Sequence, residues 1–149
     1  MKETNTSKMI DISSKKVIRR EASAEGKIVL RKSTMNLIEK GEIEKGDPLQ
    51  IASIAAIQAA KATSSSLMMC HQIPIESTSV EFEKGSDFLT ARVTVISHSR
   101  TGVEMEALNA VGCALLNIWD VVKKYEKDDR GQYPMTRIEK IRVIEKIKG

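Results

Sequence analysis

The chain has 149 residues, enough for one domain with its own apolar core and no need of disulfides or a structural metal. Hydrophobic residues make up 41% and charged residues 30%, the balance of a globular protein, and an aromatic share of only 3% argues against a base-stacking surface for single-stranded nucleic acid. A formal charge of +4 allows an anionic partner without choosing between nucleic acid and a phosphorylated small molecule.

Met1 to Lys8 is polar and reads as a mobile tail rather than a signal peptide, leaving one domain over residues 9–149. No apolar run is expected to reach bilayer-spanning length, so the expected location is the cytoplasm, with no membrane partner. A strand starts near Val17 and ends over Gly26 to Arg31. Ser33 to Lys40 is a short helix, capped by Ser33 or Thr34 and stopped by Gly41. Asp47 as N-cap and Pro48 at the first helical position open a second helix that runs to about Thr63. Three serines, Ser64 to Ser66, break it, and Leu67 to Pro74 is an ordered loop.

Two strands follow, Ile75 to Glu83 and Phe88 to Ser97, joined by a hairpin turn at Lys84 to Asp87. In the second, Leu89, Ala91, Val93 and Val95 alternate with Thr90, Arg92 and Thr94, which predicts one buried face. A long helix spans Gly102 to about Lys127, with Thr101 as N-cap and Glu104 completing a capping box. After a polar loop, Asp128 to Pro134, the last strand covers Thr136 to Lys146. Its expected faces are Ile138, Arg142, Ile144 and Lys146 on one side and Ile141, Val143 and Glu145 on the other. This order predicts an α+β fold, a ferredoxin-like antiparallel sheet with helices packed on one face.

The long helix carries Glu106, Asp120 and Lys123 within an otherwise apolar run, and buried charge is costly unless it is paired or used. Glu106 and Asp120 lie within roughly 40° on the helical wheel, yet about 21 Å apart along the axis. One compact dyad cannot contain both. Either the ligand is long, or the two serve different sites, or a second subunit completes each site. The helix is apolar nearly all round, and a small sheet covers only one side, so an oligomer interface is expected.

Simpler readings exist for each residue. Asp120 and Lys123 alone make an ordinary helix salt pair, Glu104 alone a cap, and Lys61 a cation placed favourably at a helix C-terminus. Cys70-His71 suggests a metal, but without further Cys or His nearby no metal site is expected. Cys113 reads as a small core residue and His98 as a solvent-facing or hydrogen-bonding one. The basic run from Arg137 to Lys148 reads as the solvated face of an edge strand.

Taken together, however, M-C-H-x-x-P (Met69 to Pro74), T-G-V-E-M-E-A-L (Thr101 to Leu108) and I-Q-A-A-K (Ile57 to Lys61) resemble the molybdenum cofactor biosynthesis protein C family, the cyclic pyranopterin monophosphate synthases. M-I-D-I-S (Met9 to Ser13), R-E-A (Arg20 to Ala22), K-G-D (Lys45 to Asp47) and D-x-x-K (Asp120 to Lys123) extend the resemblance over nearly the whole chain after Lys8. The resemblance implies a lyase that converts 3′,8-cyclo-7,8-dihydroguanosine triphosphate to cyclic pyranopterin monophosphate and releases pyrophosphate. It also implies a homohexamer, a trimer of dimers, with sites near subunit interfaces. Asp120 matches the family's active-site aspartate, Lys123 the lysine after it, and Lys45 and Lys61 lysines lining the pocket. Met69, Cys70 and His71 match its substrate-binding tripeptide, Met105 and Glu106 a second substrate-binding segment, and Glu104 a companion carboxylate. Arg20 falls in the matched R-E-A segment and is counted with the substrate-binding residues. Lys146 aligns with a C-terminal lysine that the family follows with Ser-Gly-Gly, replaced here by Ile147-Lys148-Gly149, and Arg100 stands where a lysine is common.

Several lysines suit a triphosphate and the charge that develops on a leaving pyrophosphate. An aspartate beside a lysine can divide acid and base roles in the proton transfers that turn a guanine-derived ring into a pterin. Asp120, Lys123 and Lys45 are therefore the expected catalytic group. No cofactor is called for by the sequence, although magnesium could accompany the triphosphate. A nucleic-acid-binding module of the same fold would explain the basic charge but lacks an aromatic platform. A metal-dependent hydrolase would explain the histidine and carboxylates, and would show itself by losing activity on chelation.

Overall fold

The computed structural model describes residues 6–149. Residues 1–5 of the expected tail lie outside the described residues, while Thr6 to Lys8 are exposed and belong to no helix or strand. The elements are β1 (Ile18–Val29), α1 (Lys32–Lys40), α2 (Pro48–Lys61), α3 (Thr63–Ser66), β2 (Ser77–Lys84), β3 (Phe88–Ser99), α4 (Glu104–Glu126) and β4 (Arg137–Lys148). The strands form one antiparallel sheet in the order β2-β3-β1-β4. That is the ferredoxin-like arrangement the element order implies.

Local sequence explains most boundaries. Asp47 accepts a hydrogen bond from the Leu49 amide at 3.0 Å, and Pro48 follows at the first helical position of α2. Gly41, at φ 67°, closes α1 in the left-handed conformation. Two caps differ from expectation. The N-cap of α1 is Arg31, not Ser33 or Thr34, because its amide is claimed by the Glu126 carboxylate at 3.1–3.2 Å and the Thr34 hydroxyl donates to the same group. Val103, not Thr101, precedes α4 and makes no side-chain cap, so the capping box does not form. Glu104 turns instead to Lys146, with Nζ 2.7 Å from its Oε1.

On β3 the alternation holds: Leu89, Ala91, Val93 and Val95 are buried and Arg92 is exposed. On β4 it does not. The β1–β4 register slips between Ser23 and Ala24 and again between Glu25 and Lys27, and Lys140 adopts φ 58°. Each slip inserts one residue and inverts the pleat. Val143 therefore joins Ile138 and Lys146 on the helix side, paired with Ala24, Ile28 and Ala22, while Arg142 pairs with Glu25 and faces the other way. Ile141 also turns inward, toward Gly26. A Cβ on Gly26 would lie 2.8 Å from both Leu115 and Val111 and 2.9 Å from Ile141, so helix, sheet and edge strand close over a bare backbone there.

The core forms where α4 lies on β1, β3 and β4 and α2 packs against α4 and β2. The buried stripe of α2 is Ala52, Ala56 and Ala60, and side chains this small let the two helices approach closely. By length and composition α4 could cross a bilayer, contrary to the expectation that no run would, but half of that stretch is buried within the domain as its core helix. Leu116 on α4 and Ile54 on α2, each 62% exposed, remain uncovered on the outer side.

Candidate active site

Both ends of α4 carry charged side chains. At its start, the β3–α4 connection is braced by Arg20, a buried residue of β1. Its Nε donates to the Ser99 carbonyl at 3.1 Å and its Nη2 to the Arg100 carbonyl at 3.3 Å. This fixes the entry of the chain into α4 and with it two glutamates of opposite environment. Partial burial pushes Glu104 upward, but the bond from Lys146, a backbone amide and the charges of Lys146 and Arg20 hold its carboxyl below the usual range. Glu106 is 2% exposed and makes no ion pair among the described residues. Burial raises it, against a backbone amide and the Cys70 thiol, and the charge of Glu104 raises it further.

The loop between α3 and β2 supplies the facing wall. Cys70 Sγ lies 3.7 Å from Glu106 Oε2, and the other oxygen, Oε1, is buried without a hydrogen-bond partner among the described residues. Burial above all pushes the Cys70 thiol up, so it stays protonated and acts as a donor. His71 borders two adjoining clefts. One, of about 720 Å³, is also lined by Ile10, Asp11, Pro74 and Arg100. The second, of about 340 Å³, is lined by Lys8, Asp11, Lys15, Met69 and Thr101. Asp11 is held down by bonds from Ser13 and, less strongly, by the charge of His71. Met69 and Met105 are exposed beside these groups.

Some 21 Å along α4, Asp120 sits between two lysines. Lys123 Nζ is 2.9 Å from Oδ1 and Lys45 Nζ 3.4 Å from Oδ2, and Lys45 also donates to the Asp120 carbonyl at 3.3 Å. The bond from Lys123, followed by its charge and that of Lys45, lowers Asp120, while Asp120 raises Lys123. The group is open, with Asp120 59% exposed. Trp119 and Tyr133 pack edge to face beside it at 5.1 Å.

Arg20, Cys70, Glu104, Glu106 and Lys146 thus gather at one end with His71 and Met69, and Lys45, Asp120 and Lys123 at the other. One copy of the chain does not bring the two groups together. Lys61, exposed and without an ion pair among the described residues, ends α2. The Asn109 side chain donates to the nearby Ala59 carbonyl at 3.1 Å, which sets that end of α2 toward the Glu104–Glu106 group. Asp11, Lys15 and Arg100 were given no place in the site from sequence. M-I-D-I-S carried the signal for Asp11, but nothing local in it shows that the segment folds back onto His71. No group of three or more His, Cys, Asp or Glu among the described residues could hold a metal ion. Each end offers a lysine cation beside a carboxylate, suited both to phosphate contact and to moving protons.

Residues 9–149 match the model of the MoaC family. A protein of Sulfolobus acidocaldarius named "Probable cyclic pyranopterin monophosphate synthase" is 59% identical over 141 residues, 95% of this chain and 99% of its own. One of Pyrococcus abyssi with the same name is 51% identical over 95% of this chain and 89% of its own. A Methanothermobacter thermautotrophicus protein, "Probable cyclic pyranopterin monophosphate synthase accessory protein", is 54% identical over the same shares. With a match this long, and with relatives this similar along almost their whole length, the chain belongs to the MoaC family.

Proposed function

We propose that the chain is a cyclic pyranopterin monophosphate synthase of molybdenum cofactor biosynthesis, a cytoplasmic lyase that takes the cyclic dihydro-GTP intermediate to cyclic pyranopterin monophosphate and pyrophosphate. The observation that carries this reading is the division of charged groups between the two ends of α4, each built from motifs of the family. A sugar hydroxyl attacks the α-phosphorus, the bond to the β-phosphate oxygen breaks, and pyrophosphate leaves with its charge met by lysines. Lys45, Lys61 and Lys146 serve that anion. Lys123 and Asp120 act as the acid/base pair, and His71, Glu104 and Glu106 hold the guanine-derived ring. Holding the hydroxyl in line is a positioning task, for which ordered side chains suffice.

Because the two groups stand about 21 Å apart, each complete site draws one group from each of two copies, in a homohexamer arranged as a trimer of dimers. The uncovered Leu116 and Ile54 supply apolar surface for such contacts. Incubating the purified protein with the cyclic dihydro-GTP intermediate and measuring pterin and pyrophosphate tests the reading. Equal yields of the two are expected, and a folded protein that consumes no intermediate overturns it.

A further inference from the structure

Asp120 and Lys123 form an exposed ion pair on the last turns of α4, and such a pair does little by itself to hold a long, flexible lysine stem. The chain beyond α4 supplies what the pair lacks. Trp119, Lys123 and Lys127 recur at every fourth residue and so form one stripe along the end of the helix. The Tyr133 ring meets the two outer members, Trp119 edge to face at 5.1 Å between centroids and the Lys127 ammonium at 6.0 Å from its centre. A ring that reaches both lies over the middle member, Lys123. Asp120 does most to keep the Lys123 ammonium charged, and the nearby Tyr133 oxygen adds a little.

The loop that carries Tyr133 is built to hold it there. Asp128 Oδ1 accepts from the amides of Arg130 and Gln132 at 2.9 Å each, and the Asp128 amide donates to the Gln132 carbonyl at 2.9 Å, so Asp128 to Gln132 closes on itself. Gly131, at φ 73°, takes the left-handed conformation within that turn. Just beyond, the Thr136 hydroxyl donates to Glu126 at 2.7 Å and ties the chain back to α4. Resting on the proposed function, in which Lys123 gives a proton, we infer that Tyr133 is a positioning residue for that step: its ring packs on the Lys123 stem and keeps the ammonium on Asp120. The ring does this and the hydroxyl is dispensable, because the contacts that seat Tyr133 on the stripe are made by the ring itself.

The full-length protein carries a single tryptophan, Trp119, whose emission reports the packing directly. Tyr133→Ala should change that emission, and Tyr133→Phe should keep it. Labelling by an amine-acylating reagent, read at Lys123 by mass spectrometry, should be several-fold faster in Tyr133→Ala than in the wild type and unchanged in Tyr133→Phe. With the cyclic dihydro-GTP intermediate, Tyr133→Ala should lower kcat by up to about 10²-fold, the scale of a misplaced catalytic group, with KM little changed, and Tyr133→Phe should restore it. In a Lys123→Ala background Tyr133→Ala should cost nothing more, because it acts through Lys123. A Tyr133→Ala protein whose emission or Lys123 labelling matches the wild type overturns the inference, whatever the turnover. An unchanged kcat, losses that add in the double variant, or a Tyr133→Phe protein as impaired as Tyr133→Ala overturn the part in catalysis. If labelling rises as expected but the wild type consumes no intermediate, the proposed function fails while the hold on Lys123 stands.

Discussion

Lys123 places its ammonium 2.9 Å from Asp120 Oδ1, and each member of the pair stabilises the charged form of the other. In the free protein the pair therefore rests as cation and anion, and the cation is the group able to give a proton. Lys123→Ala should lower kcat by about 10²–10⁴-fold, the usual contribution of a positioned acid. It should also let Asp120 rise toward the ordinary carboxylate range, since Lys45 alone remains beside it, and so move the acidic limb of the pH–rate profile upward. A mutant with normal kcat removes Lys123 from the chemistry. Glu106 carries the opposite linkage. Its folded-state value is raised, so it favours the fold most at pH below about 4.3, the unfolded value, and that contribution is lost as pH rises toward the folded value. Glu106→Gln abolishes the loss. Thermal melts of the mutant and wild type should separate in favour of the mutant at neutral pH and converge in acid, whereas parallel curves at every pH contradict the burial argument.

At the scale of elements, α4 is held at both ends by glutamates whose partners are remote in sequence. Glu126, fully buried in the last turn, accepts from the Arg31 amide, the Thr34 hydroxyl and, at 2.7 Å, the Thr136 hydroxyl, tying the start of α1 and the approach to β4 to one carboxylate. Near its middle α4 rests on Gly26. Gly26→Ala forces a methyl between Leu115, Val111 and Ile141 and should cost about 1–3 kcal/mol, read as a lower denaturation midpoint with an unchanged m-value. These contacts also mark how far the sequence could be read. Periodicity made α2, β3 and the core of α4 legible, because Asp47-Pro48 and the alternation from Leu89 to Val95 act through near neighbours. The faces of β4 were not legible, since two bulges reset a pleat that strict alternation assumes. Thr101 and Glu104 read as a capping box, but Lys146, forty-two positions away, takes the carboxylate. Site membership followed from motif resemblance. The environments that separate Glu104 from Glu106 come from burial and from Cys70, which no spacing encodes.

For the whole molecule, the decisive fact is the distance between its two charged groups. The unbroken helix α4 keeps Asp120 and Lys123 about 21 Å from Glu106, and no side chain spans that gap. If each site takes one group from each of two copies, variants that damage different groups can repair one another. Lys123→Ala damages the lysine–aspartate end and His71→Ala the other, so each alone should be nearly inactive. Unfolding the two in equal amounts and refolding them together gives assemblies in which each group is intact in half of the copies. A shared site then needs two independent intact halves, and about one quarter of the wild-type activity should return, provided that partners mix at random. If both groups of a site belonged to the same chain, every copy would carry one damaged group and mixing would restore nothing. Size-exclusion chromatography of the mixture shows whether subunits reassembled, so inactivity in a properly assembled mixture counts directly against a site shared between copies.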